Sequence, residues 1–194
     1  MLALQSVIIP GSPPNLLLGY GGKGFAIIAS DTRLSQGYSI LSRNTSKLYE
    51  INENVMLGTI GCYADNIALK KRIQVQMKHY EFEQERTMPA SACASMLSKI
   101  LYSKRFFPYY CFNLLAGIDE NGQGWCWNYD AIGSFKPSRF SQVGTGSSLI
   151  APVLDQQFVG YNTTGEQKER SIEEVQDIII DCFNCAAERD MFTG

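Results

Sequence analysis

Short apolar runs separated by glycine or polar turns dominate the first third of the chain. Residues 16–20 and 25–30 form two such runs, and Gly21-Gly22-Lys23-Gly24 lies between them. This spacing predicts a β-hairpin with a glycine turn. The alanine and isoleucine content of its second strand predicts burial on both faces. Three further strands are predicted from similar patterns, at residues 38–42, 47–51 and 55–61.

The spacing of apolar residues changes to a helical period after residue 63. Residues 64–84 interleave apolar with charged side chains, which predicts an amphipathic helix. Pro89 suits the first turn of a second helix, and that helix is expected to end before Pro108. The apolar positions assigned to the first helix are Ile67, Leu69, Ile73, Val75, Met77 and Tyr80.

The second half of the chain repeats the order of strands followed by helices. Residues 111–118 and 124–129 are predicted to form a hairpin, and residues 135–143 one more strand. A helix is expected between the turn at residues 144–147 and Asp155.

The clearest helix signal comes last. Ser171 is followed three residues later by Glu174, which is the signature of a capping box, and apolar residues then recur at helical spacing. Residues 162–170 are polar and are expected to form a surface loop. The order of strands, two helices, strands and two helices predicts an α+β fold in which helices cover sheets.

Composition narrows the class of protein. The chain has 194 residues, of which 45% are apolar and 19% charged, and its formal charge is −2. This suits one globular domain, and it provides no excess of cations for a nucleic-acid partner. Because no apolar run approaches about 18 residues and residues 1–9 lack a basic signal-peptide start, we expect a soluble, intracellular protein.

The six cysteines do not indicate a metal site. Cys182 and Cys185 have a metal-like spacing, but no second pair follows them and His79 is the only histidine. The simpler interpretation is that they are small apolar residues on a helix. No cofactor or metal is therefore expected.

Charged residues at the end of a buried strand are candidates for chemistry. Asp31 and Arg33 follow the predicted strand at alternate positions, and Lys47 opens the next apolar segment. Such groups must be paired to be tolerated near a core, so they form either a structural ion pair or an electrostatic support for a site. Thr145 lies in a glycine-flanked turn that could hold an oxyanion or cap a helix.

Six sequence blocks along the chain match one known family. They are residues 25–33 (FAIIASDTR), Lys47, residues 100–110 (ILYSKRFFPYY), residues 144–147 (GTGS), residues 154–155 (LD) and residues 189–194 (RDMFTG). Together they resemble the β-type subunits of the proteasome core particle. Residues 30–35, 100–110 and 117–122 are closer still to a non-catalytic member, and the block at residues 100–110 is the most specific of them. The resemblance implies a four-layer αββα sandwich of the N-terminal-nucleophile hydrolase type, with two antiparallel sheets between helix layers.

The resemblance also implies a set of site residues. In catalytic members an N-terminal threonine attacks the peptide carbonyl, a lysine lowers the proton affinity of its amine, and an aspartate holds that lysine. The matching network residues are Asp31, Arg33, Lys47, Thr145, Asp190 and Thr193.

The nucleophile of that family has no match in this chain. Counting back from Asp31 by the family's spacing reaches Asn15, and the first threonine anywhere is Thr32. Ser6 and Ser12 are nearby hydroxyls, but Ser12 is out of register and is followed by two prolines. Without an attacking atom beside a free amine there is no nucleophilic catalysis. The resemblance therefore implies no catalytic residue and a retained structural network, with a processed threonine- or serine-type peptidase as the alternative.

The family further implies partners and a location. We expect a subunit of the 20S core particle that supports ubiquitin-dependent protein degradation. It would assemble with other α- and β-type subunits into a double β-ring between α-rings, in the cytoplasm and nucleus, with no nucleic-acid or membrane partner. Four aromatic residues around a proline could form an interface or belong to the core: Phe106, Phe107, Tyr109 and Tyr110.

Three features at the two ends of the chain complete these expectations. Residues 1–20 depart from the family's usual opening, so we treat them as an atypical N-terminal segment before a β-type domain at residues 21–194. That domain is expected to lack the last C-terminal strands. Gly19, Gly21 and Gly24 imitate a dinucleotide-binding motif, but a strand is predicted after them, and such a motif requires a helix there.

Overall fold

A computed structural model describes residues 3–8, 16–160 and 169–190 of the protein. The strands are β1 (Ala3–Ile8), β2 (Leu16–Gly21), β3 (Phe25–Ser30), β4 (Leu34–Gln36), β5 (Ser39–Ser42), β6 (Leu48–Asn52), β7 (Val55–Gly61), β8 (Cys111–Ile118), β9 (Gly124–Tyr129), β10 (Phe135–Ser138) and β11 (Phe140–Gly144). The helices are α1 (Tyr63–Gln84), α2 (Ala90–Tyr102), α3 (Ser147–Leu154) and α4 (Ile172–Arg189), and a π-helical turn (Asp155–Val159) follows α3.

Two sheets and two helix layers form a sandwich. The first sheet has the order β1-β3-β2-β11 and the second the order β10-β9-β8-β7-β6. One apolar core lies between the second sheet and α1 and α2, another between the first sheet and α3 and α4, and a third between the two sheets. This arrangement confirms the predicted α+β fold and its four αββα layers.

The local predictions held where turn chemistry and burial define an element. Strands β2 and β3 form the predicted antiparallel hairpin, and every residue of β3 is buried. Strands β8 and β9 have the predicted bounds. The capping box is also present, since the Ser171 hydroxyl accepts from the Glu174 N–H and the Glu174 carboxylate accepts from the Ser171 N–H.

The strand predicted at residues 135–143 is wrong as a single element. Its first part, β10, pairs with β9 in the second sheet, whereas β11 pairs with β2 in the first sheet. Arg139 lies at the crossing, where its side chain and backbone carbonyl both bind the backbone of Gly21, at 2.9 and 2.6 Å. These bonds hold the chain at the point where it passes from one sheet to the other.

The expectation of two wholly antiparallel sheets also needs correction. Strand β1, which the sequence did not predict, pairs in parallel with β3. Leu4 packs on the core between the sheets and Val7 on the core beneath α3 and α4. Leu4 and Val7 point to opposite faces of the strand. Each core therefore receives an apolar side chain from β1, and this stabilises β1 along the edge of β3. Both β1 and β2 therefore belong to the same sheet as β3.

The glycine-rich turn allows the β2–β3 hairpin to pack closely against the β8–β9 hairpin. A Cβ atom on Gly21 would overlap the backbone of Gly124, and one on Gly124 would overlap the carbonyl oxygen of Phe25. The Gly124 N–H donates to the Gly22 carbonyl at 2.8 Å. Strand β3 follows the turn directly, so this glycine motif has no helix with which to bind a phosphate.

Helix α1 differs from its prediction at one position. Its buried residues are Asn66, Leu69, Ile73 and Met77, but Val75, assigned to the same stripe, is 64% exposed. Residue 75 lies two positions from Ile73, and two residues rotate by about 200° around a helix. Val75 therefore lies on the outer face of α1.

Candidate active site around Asp31 and Lys47

The centre of the candidate site is a buried ion pair. Asp31 follows the end of β3 and Lys47 precedes β6, and the Lys47 Nζ lies 2.6 Å from the Asp31 Oδ2. The two residues are only 0% and 5% exposed. The other carboxylate oxygen, Oδ1, accepts from the backbone N–H of Leu16 at 3.2 Å. The structure thus brings together the aspartate and lysine that the sequence singled out.

Burial controls the protonation of Lys47. Loss of hydration lowers the pKa of Lys47 below its ordinary value, the Asp31 carboxylate opposes this, and the charge of Arg33 lowers the pKa further. The ion pair is nevertheless tolerated because each charge has a close partner. Arg33, the third member of the predicted network, acts on Lys47 through its charge.

Backbone contacts fix the segments that carry these side chains. The Thr32 hydroxyl donates to the Arg43 carbonyl at 2.8 Å, and the Thr45 N–H donates to the Thr32 carbonyl at 2.8 Å. The Thr59 N–H donates to the carbonyl of Lys47 at 3.0 Å. Sequence reasoning missed these contacts and the Leu16 N–H, because backbone donors and acceptors carry no signature in the sequence.

A second pair of predicted residues lies at the other side of β2. The Thr145 hydroxyl donates to the Asp190 Oδ2 at 2.7 Å, which ties the loop before α3 to the end of α4. Gly144, the neighbour of Thr145, pairs with Leu16 in the sheet. Thr193 lies outside the described residues, so its place in the network stays a prediction.

These contacts place the start of β2 between the two pairs, because Leu16 binds Asp31 through its N–H and is paired with Gly144. The residue before Leu16 in the sequence is Asn15, which lies outside the described residues. Its amide is neither a hydroxyl nor a thiol, and the attack that the family's catalytic members perform needs one of these.

Comparison with known proteins identifies the family. A family model described as "Proteasome subunit" matches residues 16–194. The chain belongs to the proteasome subunit family. It is 42% identical over 181 residues to "Proteasome subunit beta type-1" of Dictyostelium discoideum and of Drosophila melanogaster, covering 92% of this chain and 77% of each relative. The protein of that name from Arabidopsis thaliana is 40% identical over 178 residues, covering 89% of this chain and 80% of the relative.

This family membership confirms the resemblance that the sequence blocks indicated. It also confirms the prediction that the chain assembles with other proteasome subunits, since members of the proteasome subunit family do so. None of the described helices of this family member is long and apolar enough to cross a membrane.

The four aromatic candidates lie in the segment between α2 and β8 of this proteasome subunit. We call Phe106, Phe107, Tyr109 and Tyr110 the aromatic loop. Phe106 is 94% exposed, Phe107 86% and Tyr110 66%, whereas Tyr109 is half-buried and packs on the core beneath α1 and α2. Three of the four rings therefore lie open on the surface of the single chain.

The cysteine pair on α4 lies apart from this site. Cys182 is buried beneath the helix and Cys185 is exposed. Burial raises the pKa of the Cys182 thiol to about 11, which disfavours the thiolate that a metal would need. Across the described residues no group of three or more cysteine, histidine, aspartate or glutamate side chains is arranged to hold a metal ion.

Proposed function

We propose that the chain is a non-catalytic structural subunit of the 20S proteasome core particle. It supports ubiquitin-dependent protein degradation by forming part of the β-ring. The observation that carries this proposal is the identity of the residue that precedes Leu16 in the sequence, since Leu16 binds Asp31 and pairs with Gly144. That residue is Asn15, which has neither a hydroxyl nor a thiol. The Asp31–Lys47 pair is present, but the sequence offers no hydroxyl or thiol at position 15 for it to activate.

The geometry of the network supports a structural role. The Asp31 carboxylate is engaged by Lys47 and by the backbone of Leu16, which joins the start of β2 to the segments after β3 and before β6. An ion pair of this kind fixes the relative position of the elements that carry it. In this role the pair holds the first sheet against β6 at the edge of the second.

The surface supports assembly into a hetero-oligomer. Large exposed aromatic rings are typical of protein interfaces and are enriched among residues that dominate binding. The aromatic loop presents three such rings. We propose that the chain packs against α- and β-type subunits in a double β-ring between α-rings, in the cytoplasm and nucleus.

The test is incorporation of the tagged full-length chain into native particles. Native mass measurement of the purified material should find the chain only in a large complex with other proteasome subunits. Finding the tagged chain in these cells mainly as a free monomer, outside any particle, would contradict the proposal. Imaging of the tagged chain should find it in both cytoplasm and nucleus, and exclusion from either compartment would contradict the location.

A second candidate function is an active threonine- or serine-type endopeptidase released by N-terminal processing. The lowered pKa of Lys47 beside Asp31 favours it. Ser6, however, lies within β1 opposite Ile28 of β3, and Ile28 precedes Asp31 by three residues. Leu16, in contrast, contacts Asp31 directly. N-terminal sequencing of the chain from native particles decides, since this function requires a mature terminus at serine or threonine.

A further inference from the structure

Three buried polar side chains lie between the second sheet and the start of α1. Thr59 of β7 and Asn113 of β8 are 0% exposed, and Asn66 of α1 is 4% exposed. Among the residues that the structure describes, the Thr59 hydroxyl, both amide atoms of Asn113 and the side-chain oxygen of Asn66 have no hydrogen-bond partner. We call these three residues the polar layer. Such groups are costly to bury unless something binds them.

Thr59 and Asn113 are direct neighbours across the second sheet. They are register partners in the antiparallel pairing of β7 with β8, so their side chains project from the same face of the sheet. Leu57 and Leu115, two positions further along each strand, belong to the core beneath α1 and α2. Because side chains alternate along a strand, Thr59 and Asn113 also face these helices.

Asn66 reaches the same place from the helix side. Helix α1 follows β7 after a single residue and packs against it. Leu69, about one turn further along the helix, lies in the same core as the two leucines of β7 and β8. Asn66 is closer than Leu69 to the start of α1, and this start lies at the end of β7. Asn66 therefore faces Thr59 and Asn113, which are the strand positions closer to that end.

The polar layer is less bulky than the apolar layer beside it. Leu57, Leu69 and Leu115 occupy the neighbouring positions of the core, whereas the polar layer consists of one threonine and two asparagines, which are smaller than leucine. Protein interiors are densely packed, so smaller side chains at three adjoining positions leave room for a small molecule. One water molecule takes up roughly 30 Å³, which is a size that the polar layer can hold.

The Cys111 thiol is at most a weak partner for this layer. It lies two residues before Asn113 on the same face of β8. Burial raises the pKa of this thiol to about 12, although its contact with Asn113 opposes the rise. The thiol therefore stays protonated, and a protonated thiol is a weak hydrogen-bond donor and acceptor.

We propose that the polar layer binds an internal water molecule. A buried water typically makes about three hydrogen bonds to polar groups that have no other partner. Here the water donates to the side-chain oxygens of Asn66 and Asn113 and accepts from the Thr59 hydroxyl, while the Asn113 NH2 group faces the Cys111 sulfur. The water thus joins the first turns of α1 to both β7 and β8. This inference concerns the interior of the chain and does not rest on the proposed function.

A map of the full chain at a resolution that shows ordered water tests the proposal directly. Crystals of the chain and native particles both serve. We expect a water oxygen at about 2.7–3.2 Å from the Thr59 Oγ1, the Asn66 Oδ1 and the Asn113 Oδ1. A direct hydrogen bond between Thr59 and Asn113, an ion at this position, or no density between the three side chains would overturn the proposal.

The sign of a stability change gives a second test. Thr59→Val keeps the shape of the side chain and removes the hydroxyl. If that hydroxyl binds the water, its loss should raise the equilibrium constant of unfolding about fivefold. An unchanged or lowered constant would show that the hydroxyl has no partner, and would overturn the proposal. Thr32→Val is the matched control, since the Thr32 hydroxyl is buried and donates to the Arg43 carbonyl at 2.8 Å; its loss should also raise the constant.

A conservative variant separates the hydroxyl from the packing of the side chain. Thr59→Ser retains the hydroxyl and should keep the water density, whereas Thr59→Val should weaken it. Equal water density in the two variants would contradict the assignment of Thr59 as a ligand of the water. Crystals and unfolding of the full chain need no assembly, so a chain that enters no particle would defeat the proposed function and leave this inference standing.

Discussion

The buried network and the outer surface of this subunit place their polar and apolar side chains in opposite ways: charged groups are buried in the network, and aromatic rings are exposed on the surface. Asp31 and Lys47 are almost fully buried, and each has a close partner within the chain. Phe82 and Phe106, in contrast, expose 86% and 94% of their surface. The buried charges are thus paired within the chain, whereas large aromatic rings remain exposed on its surface. Exposed aromatic rings of this kind are enriched where proteins pack against one another, as members of the proteasome subunit family do.

The largest effect is expected when one half of the ion pair is removed. Lys47→Met leaves the Asp31 carboxylate buried without its cation, which should lower the free energy of unfolding by about 3–5 kcal/mol. Denaturant unfolding of the full chain measures this. Asp31→Asn/Lys47→Met should recover much of the loss, because it removes both charges of the pair. Lys99→Met, at an exposed site on α2, should change little, and an equal loss there would contradict the role of the pair.

A smaller loss is expected at the contact between the two glycine-rich hairpins. Gly21→Ala would force a methyl group into the backbone of Gly124, which should cost about 1–3 kcal/mol. Ser39→Ala, in the exposed β5 strand, serves as the control. Unfolding midpoints that do not differ between these two variants would show that the hairpins do not pack as closely as described.

Local features of the sequence predicted much of this interior. The β2–β3 and β8–β9 hairpins followed from their turn residues and from apolar runs of strand length, which depend only on neighbouring residues. Asp31 and Lys47 followed from charges placed at strand ends. The contact of the Leu16 N–H with Asp31 could not be predicted, because a backbone group looks the same in every residue.

Features that depend on distant partners were missed or misassigned. The break at Arg139 depends on Gly21, more than a hundred residues away, and β1 depends on the free edge of β3. The sequence places Val75 among the apolar positions of an amphipathic helix, although its position two residues after the buried Ile73 turns it to the outer face. An exposed apolar residue is hard to distinguish from a core residue in the sequence, because more than half of a folded protein's surface is apolar.

The aromatic loop should contribute little to the stability of the single chain. Phe106→Ser/Phe107→Ser removes two rings that are exposed in the monomer, so the free energy of unfolding should change by about 0.5 kcal/mol or less. Incorporation into the particle should nevertheless fall severalfold, because aromatic anchors dominate interfaces. A loss of unfolding free energy beyond about 1 kcal/mol would instead assign these rings to the fold.

Cysteine reactivity tests the difference between exposed and buried positions without a substitution that would change the stability of the chain. Cys62 and Cys185 are exposed, and alkylation of the folded chain at about pH 8 should modify these two thiols. Burial raises the pKa of the Cys93 and Cys126 thiols to about 12, so they should react only after unfolding. Mass mapping of the modified peptides measures this, and rapid modification of Cys93 or Cys126 in the native chain would contradict the packing described.

We propose that this subunit contributes to the particle a site that has the buried Asp31–Lys47 pair but no nucleophile. The most direct measurement is the intact mass of the chain from native particles, before and after treatment with a peptide electrophile that labels N-terminal threonine nucleophiles. We expect the mass of this chain to stay unchanged, while the catalytic subunits in the same sample increase in mass by that of the bound electrophile. An adduct on a mature N-terminal serine or threonine of this chain would contradict it.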